Sequence, residues 1–165
     1  MIKAEWISEP QSDLTVVNAA RVSFDKQSDW MSEAEVPTNP HTGGKIPPYK
    51  RLKERDARLI NYLASHNHWT PFGHVRETFC AVNPLDSVFD LSDCAPEDIA
   101  GMVWAERGRF VRHSLWGWKN LLHKGVITGN KAETIRDSLT QYYPASAKAL
   151  GLEPTGKIES GKISP

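Results

Sequence analysis

Cysteine is scarce in this chain. Cys80 and Cys94 are the only two in 165 residues, and no Cys-x-x-Cys pair occurs. That excludes a disulfide framework and points to reduced thiols in a cytoplasmic protein. Long apolar runs are also lacking: none is long enough to span a bilayer, and Met1-Ile2-Lys3-Ala4-Glu5-Trp6 has no apolar signal core. Net charge is absent, with 20 Lys+Arg against 20 Asp+Glu. A generic nucleic-acid or membrane-surface binder needs a basic excess, so neither partner is expected. Neutrality leaves self-association unopposed by charge. Against these absences stand 39% hydrophobic residues, enough for one core, and six tryptophans, a residue usually buried with its N–H satisfied or placed at an interface.

Periodicity divides the chain into short elements. Ile2 to Ile7 alternates as a strand. Thr15-Val16-Val17 is β-branched, and Asn18 to Phe24 follows with an Ala-Ala pair suited to a tight helix or a close contact. Residues 25–49 lose periodicity and form a long proline- and glycine-bearing loop. Lys50 to Ser65 predicts a helix, with Leu52, Leu59, Ile60 and Leu63 on one face. Val75 to Ala81 reads as a strand, and Leu85 to Cys94 as a connector. Pro96-Glu97-Asp98 starts a helix that Ile99, Met102 and Val103 continue. Another runs through Ser114 to Lys124 and stops at Gly125. The last opens at Asn130 with Glu133 as a capping-box variant, buries Ile135 and Leu139, and ends at Pro144. Residues 1–150 are expected to form one domain and 151–165 a flexible tail.

The stretch between the first long helix and its strand concentrates the chemistry. His68-Trp69-Thr70-Pro71-Phe72-Gly73-His74 places two histidines, a Thr-Pro turn and two aromatics in one rigid loop, where binding groups tend to sit. Either histidine can hydrogen-bond through both ring nitrogens and titrate near neutrality. The plainer alternative is that both pin the turn to backbone. A metal reading from His66, His68 and His74 lacks a completing carboxylate or cysteine. Trp104, Trp116 and Trp118 could stack on bases, but Trp118 sits at helical core spacing.

These pieces resemble a known family. Ala20-Arg21-Val22-Ser23-Phe24, then Leu59-Ile60-Asn61-Tyr62-Leu63, then His68 to His74 and a strand with Phe79 is similar to the N-terminal half of the flavin-dependent thymidylate synthases, whose turn reads His-x-Thr-Pro-Phe-Glu-His. Gly73 replaces that glutamate. Ala95 to Val103, His113-Ser114-Leu115-Trp116-Gly117-Trp118 and Tyr142-Tyr143-Pro144 resemble later segments. The family's Arg-His-Arg-x-x-Ser-x-Asn-Glu-x-Ser-x-Arg-Tyr signature reads as deleted, with only Leu85 to Cys94 in its place; the alternative is Arg112-His113-Ser114 as its worn remnant, without the downstream Ser, Asn-Glu and Arg-Tyr.

The resemblance implies an α+β fold, a small mixed or antiparallel sheet with flanking helices. It implies methylation of dUMP to dTMP with methylene-tetrahydrofolate, FAD and NADPH, and a homotetramer sharing flavin between subunits. Positioning and electrostatics carry such a reaction, and no cysteine nucleophile is needed. Ser23 and Thr70 would contact the flavin and His68 would lie against its ring. Arg112 and His113 stand where the family has a flavin-contacting arginine. Its catalytic arginine falls on Leu122, beside His123 and Lys124, which lack the planar fork that pairs with a pyrimidine edge. No catalytic residue is therefore assigned. A second function is a catalytically inactive flavin- or nucleotide-binding relic, or an accessory subunit of a full-length relative.

Overall fold

A computed structural model of the chain describes residues 11–32, 34–36, 40–41 and 51–156, with Ser23 and Asp93 described by backbone alone. Helix α1 (Asp13–Arg21) starts where Thr15 Oγ1 accepts the Ser12 N–H at 3.0 Å. Val16 and Val17 are fully buried, so core contact overrides their β preference and joins two expected pieces into one helix. A 3₁₀ turn, Val22–Phe24, ends it. Helix α2 (Glu54–Ser65) buries Ile60 and Leu63, as the periodicity predicts, but starts at Glu54 because Lys53 is extended. The one-turn helix α3 (Thr70–Gly73) leads into strand β1 (Arg76–Cys80).

Strands β2 (Val103–Ala105) and β3 (Phe110–Ser114) complete a three-stranded antiparallel sheet of order β1-β3-β2. The fold is therefore α+β, with a small antiparallel sheet flanked by helices. Neither β2 nor β3 is legible in the sequence pattern. The helix expected to continue through Val103 is instead the single turn α4 (Pro96–Ile99). Gly101 at φ +74° turns the chain, and Val103 begins a strand.

Helix α5 (Leu115–His123) follows β3 with no intervening residue. Ser114 caps it, its Oγ accepting the Gly117 N–H at 3.0 Å, and the Leu115 N–H donates to Val75 O at 2.9 Å. Trp118 is fully buried beneath the sheet, and its indole N–H donates to Glu77 O at 3.1 Å. Its ring meets Phe79 edge-on, centroids 5.1 Å apart. Helix α6 (Gly129–Tyr142) buries Ile135 and Leu139. It starts at Gly129 after Thr128, without the expected Asn130–Glu133 box; the Glu133 carboxylate accepts from Thr155 instead.

Pro144 opens α7 (Pro144–Ala149), which packs on α1, α2 and α6. The buried Asp13 carboxylate accepts the Ala145 and Ser146 N–H groups, each at 2.9 Å. The Tyr143 hydroxyl donates to the Glu77 carboxylate, tying the α6–α7 junction to β1. The chain stays packed beyond Leu150, since Leu152 is fully buried. Residues 157–165 of the expected tail, the Ile2–Ile7 strand and much of the 25–49 loop lie outside the described residues. Among the described residues no helix is long and apolar enough to cross a membrane.

A Cβ on Gly117 would meet the His113 ring at 2.0 Å. Gly117→Ala is expected to destabilise the fold by about 3 kcal/mol, measured as a shift in the urea midpoint. The double variant His113→Ala/Gly117→Ala should recover part of that loss. A Gly117→Ala protein as stable as the parent would contradict so close an approach of α5 to the sheet.

Candidate functional site

The turn after α2 is held by its backbone and two apolar anchors. His68 N–H donates to Leu63 O at 2.9 Å and Trp69 N–H to Asn67 O at 3.0 Å. Asn67 is left-handed at φ +54°, a conformation that asparagine tolerates better than most residues. Pro71 and Phe72 are buried, and Phe72 stacks against Trp116 with centroids 6.1 Å apart. His68, Trp69, Thr70 and His74 are left exposed. Among the described residues the side chains of His68, Thr70 and His74 accept and donate no hydrogen bond. The histidines therefore do not pin the turn, and their polar atoms are available to a ligand.

Two further residues join the turn. Tyr62 and His66 stack at 4.1 Å with 30° between planes, and Tyr62 and His68 at 5.9 Å with 17°. His66 is oriented by its own helix, its Nδ1 bonding Tyr62 O at 2.9 Å. The result is an exposed three-ring array beside Thr70. Sequence reasoning did not assign Tyr62 or His66 to a cofactor, although their i, i+4 spacing on a helix carries that signal.

Alongside lies an open groove of about 470 Å³, lined by Ser12, Leu14, Thr15, Asn18, Ala19, Val22 and His74. It brings α1 together with the end of the turn. The Ser23 backbone follows Val22 in the 3₁₀ turn, so two segments of the resemblance meet at one surface.

Arg112 and His113 divide between the faces of the sheet. Arg112 is exposed and lies opposite Thr78 and Val103. His113 is only 3% exposed. Its Nε2–H donates to Asp98 O at 2.8 Å, and its ring sits beneath Gly117. Burial above all, with the nearby Arg76 charge, holds the imidazole below its usual titration range. His113 is thus packed between the sheet and α5, away from the exposed turn.

The neighbours of the expected catalytic arginine position are equally committed to structure. Leu122 is in the core. His123 Nε2 bonds Gly151 O at 3.1 Å, and Lys124 pairs with the buried Asp98 at 2.5 Å.

Residues 5–84 match the family model described as thymidylate synthase complementing protein. The match takes in α1, α2, the turn and β1, and it ends at the connector that replaces the expected signature segment.

Burial of His113 carries a pH dependence. The unfolded imidazole titrates near 6.5 and the folded one lower. Between those values the unfolded chain binds more protons. The stability from this group is full above 6.5 and lost as pH falls through the folded value. Asp13, raised above 3.8 by burial against the lowering effect of its hydrogen bonds, has the opposite sign at lower pH. Melting between about pH 7.5 and about pH 5.5 should destabilise the parent more than His113→Gln. Equal slopes would contradict a neutral, buried His113.

Proposed function

Because residues 5–84 belong to the thymidylate synthase complementing protein family, the flavin-dependent thymidylate synthases, we propose that this chain is a divergent enzyme of that kind. It would methylate dUMP to dTMP with methylene-tetrahydrofolate, FAD and NADPH, in the cytoplasm. The observation that carries this reading is the turn, kept with the family's order and spacing, with His68 and Thr70 held out to solvent and their polar atoms unused among the described residues.

The turn fits a planar, hydrogen-bonding cofactor. The stacked rings of Tyr62, His66 and His68 offer a surface of the right kind for an isoalloxazine. The Thr70 hydroxyl offers a donor at its edge, and the groove beside α1 gives room for an extended ligand. FAD, when bound, supplies the hydride. His68 and Thr70 would hold and orient the ring, with Ser23 and Arg112 contacting other parts of the cofactor. Exposed Val22, Phe24, Val82 and Leu85 support self-association, and a homotetramer is part of this reading.

A second reading is favoured by one observation. The positions that resemble the family's two later arginines are Leu122 and His113, and both are built into the core. The chain would then bind flavin or nucleotide as an accessory subunit, without turnover of its own.

The purified protein incubated with FAD decides between them. The enzyme reading expects a flavin spectrum, and His68→Ala or Thr70→Ala should weaken FAD uptake about tenfold. Flavin reoxidation that depends on dUMP and methylene-tetrahydrofolate, with dTMP formed, supports the enzyme. A flavin-loaded protein without dTMP supports the accessory subunit. A protein that takes up no FAD overturns the enzyme reading, and one that binds neither FAD nor dUMP overturns both.

A further inference from the structure

We propose that the free edge of β1 is a docking site for the segment Ile2 to Ile7 of the same chain, which adds to the sheet as a fourth, antiparallel strand. Among the described residues that edge is open. The Leu115 N–H donates to Val75 O at 2.9 Å, and the Ala81 N–H donates to Arg109 O at 2.8 Å. Bonded positions alternate in an antiparallel pair, so Glu77 and Phe79 also turn their backbone groups toward β3. Arg76, Thr78 and Cys80 turn theirs the other way, to the side where the order β1-β3-β2 places no strand. An edge of this kind is a template for another strand.

The chain itself arrives there. Gln11 Oε1 accepts the outward-pointing Arg76 N–H at 2.8 Å, which sets the residues before Gln11 beside the start of β1. Six residues of strand extend about 20 Å, enough to run the length of the five-residue β1. With the Ile7 end nearest Arg76, they run antiparallel to it.

The alternation of the segment fits the two faces of the sheet. Ile2, Ala4 and Trp6 fall on one side, and Lys3, Glu5 and Ile7 on the other. β1 turns half-buried Phe79 inward against Trp118, and exposed Arg76 and Thr78 outward on the side of Arg112. The apolar set belongs inside. The polar set belongs outside, where the charged residues of the strand register, Arg76 and Arg112, are both positive and Glu5 complements them. Opposed residues share a face, so Lys3, Glu5 and Ile7 take the bonded places opposite the outward residues of β1. The Ala4 and Trp6 N–H groups then point to solvent. Pro10 has the same parity as Ala4 and Trp6, so its missing N–H costs no ladder bond. A slip of one residue would turn Trp6 outward. The family match begins at residue 5 and so counts part of the segment with the domain.

Amide hydrogen exchange of the full chain, read by two-dimensional NMR, tests the docking. Thr78 and Cys80 are expected to be protected in the parent. Glu5→Pro removes an N–H aimed at β1 and should speed both amides about a hundredfold. Ala4→Pro removes one aimed at solvent and should leave both unchanged, as should Glu5→Gln, which keeps the N–H. The Arg76 amide, bonded to Gln11, reports in every variant that the sheet is intact. Should Glu5→Pro misfold, Hα–Hα contacts in the parent between Ala4 or Trp6 and Glu77 or Phe79 decide, because non-bonded pairs bring these atoms closest.

Unprotected Thr78 and Cys80 amides in the parent overturn the proposal, as do equal rates in Ala4→Pro and Glu5→Pro or the absence of those Hα–Hα contacts. Protection that appears only as protein concentration rises, together with a dimer mass, assigns the edge to a second copy and overturns it as well.

Discussion

The structure depends on one sharp junction, where β3 becomes α5 with no loop between them. A helix that starts at the last residue of its own strand must fold straight back onto the sheet, so the two backbones come close. Gly117 makes that approach sterically open, and the His113 ring fills the space a Cβ would take. Trp118, one residue on, then fills the core and satisfies its indole N–H on the β1 backbone. Removing the glycine would affect the seating of the helix and, through Trp118, the fit of β1 against it.

From that junction the placement of the turn follows. β1 is fixed by β3 on one side and by Trp118 and Tyr143 beneath it, and the turn ends two residues before β1 begins. Pro71 and Phe72 carry the apolar load, Phe72 lying against Trp116 of α5. The polar residues of the turn are relieved of structural work. The Asp13 carboxylate at the start of α7 holds α1 against the same body, which sets the groove beside His74. A rigid frame with exposed polar groups at its rim suits ligand binding.

The second half of the chain has gone the other way. His113, His123 and Lys124, the polar residues at or near the positions where the family resemblance points to arginines, are each bound to backbone or to a buried carboxylate. The connector after β1 is itself ordered: the Leu85 N–H bonds Asn83 Oδ1 at 3.0 Å, and Lys131 of α6 holds Asp86 and Ser87. Where a ligand-binding segment would be expected, the chain closes with a turn pinned to a helix.

By itself the sequence determined the α2 stripe of Ile60 and Leu63, the end of α5 at Gly125, the break at Pro144 and the resemblance carried by the His68–His74 turn. These are local: spacing on one helix, a glycine or proline at a boundary, a short run of residue types. What it could not settle depends on distant partners. Val16 and Val17 turn helical because of what they pack against, and Phe110 to Ser114 becomes a strand because β1 and β2 lie beside it. His113 beside Arg112 looks like a pair of site residues until the pleat sends one to each face. Only tertiary structure decided which of the two is buried and which meets solvent, because the side-chain period of a strand is two and its register is set by the neighbouring strands.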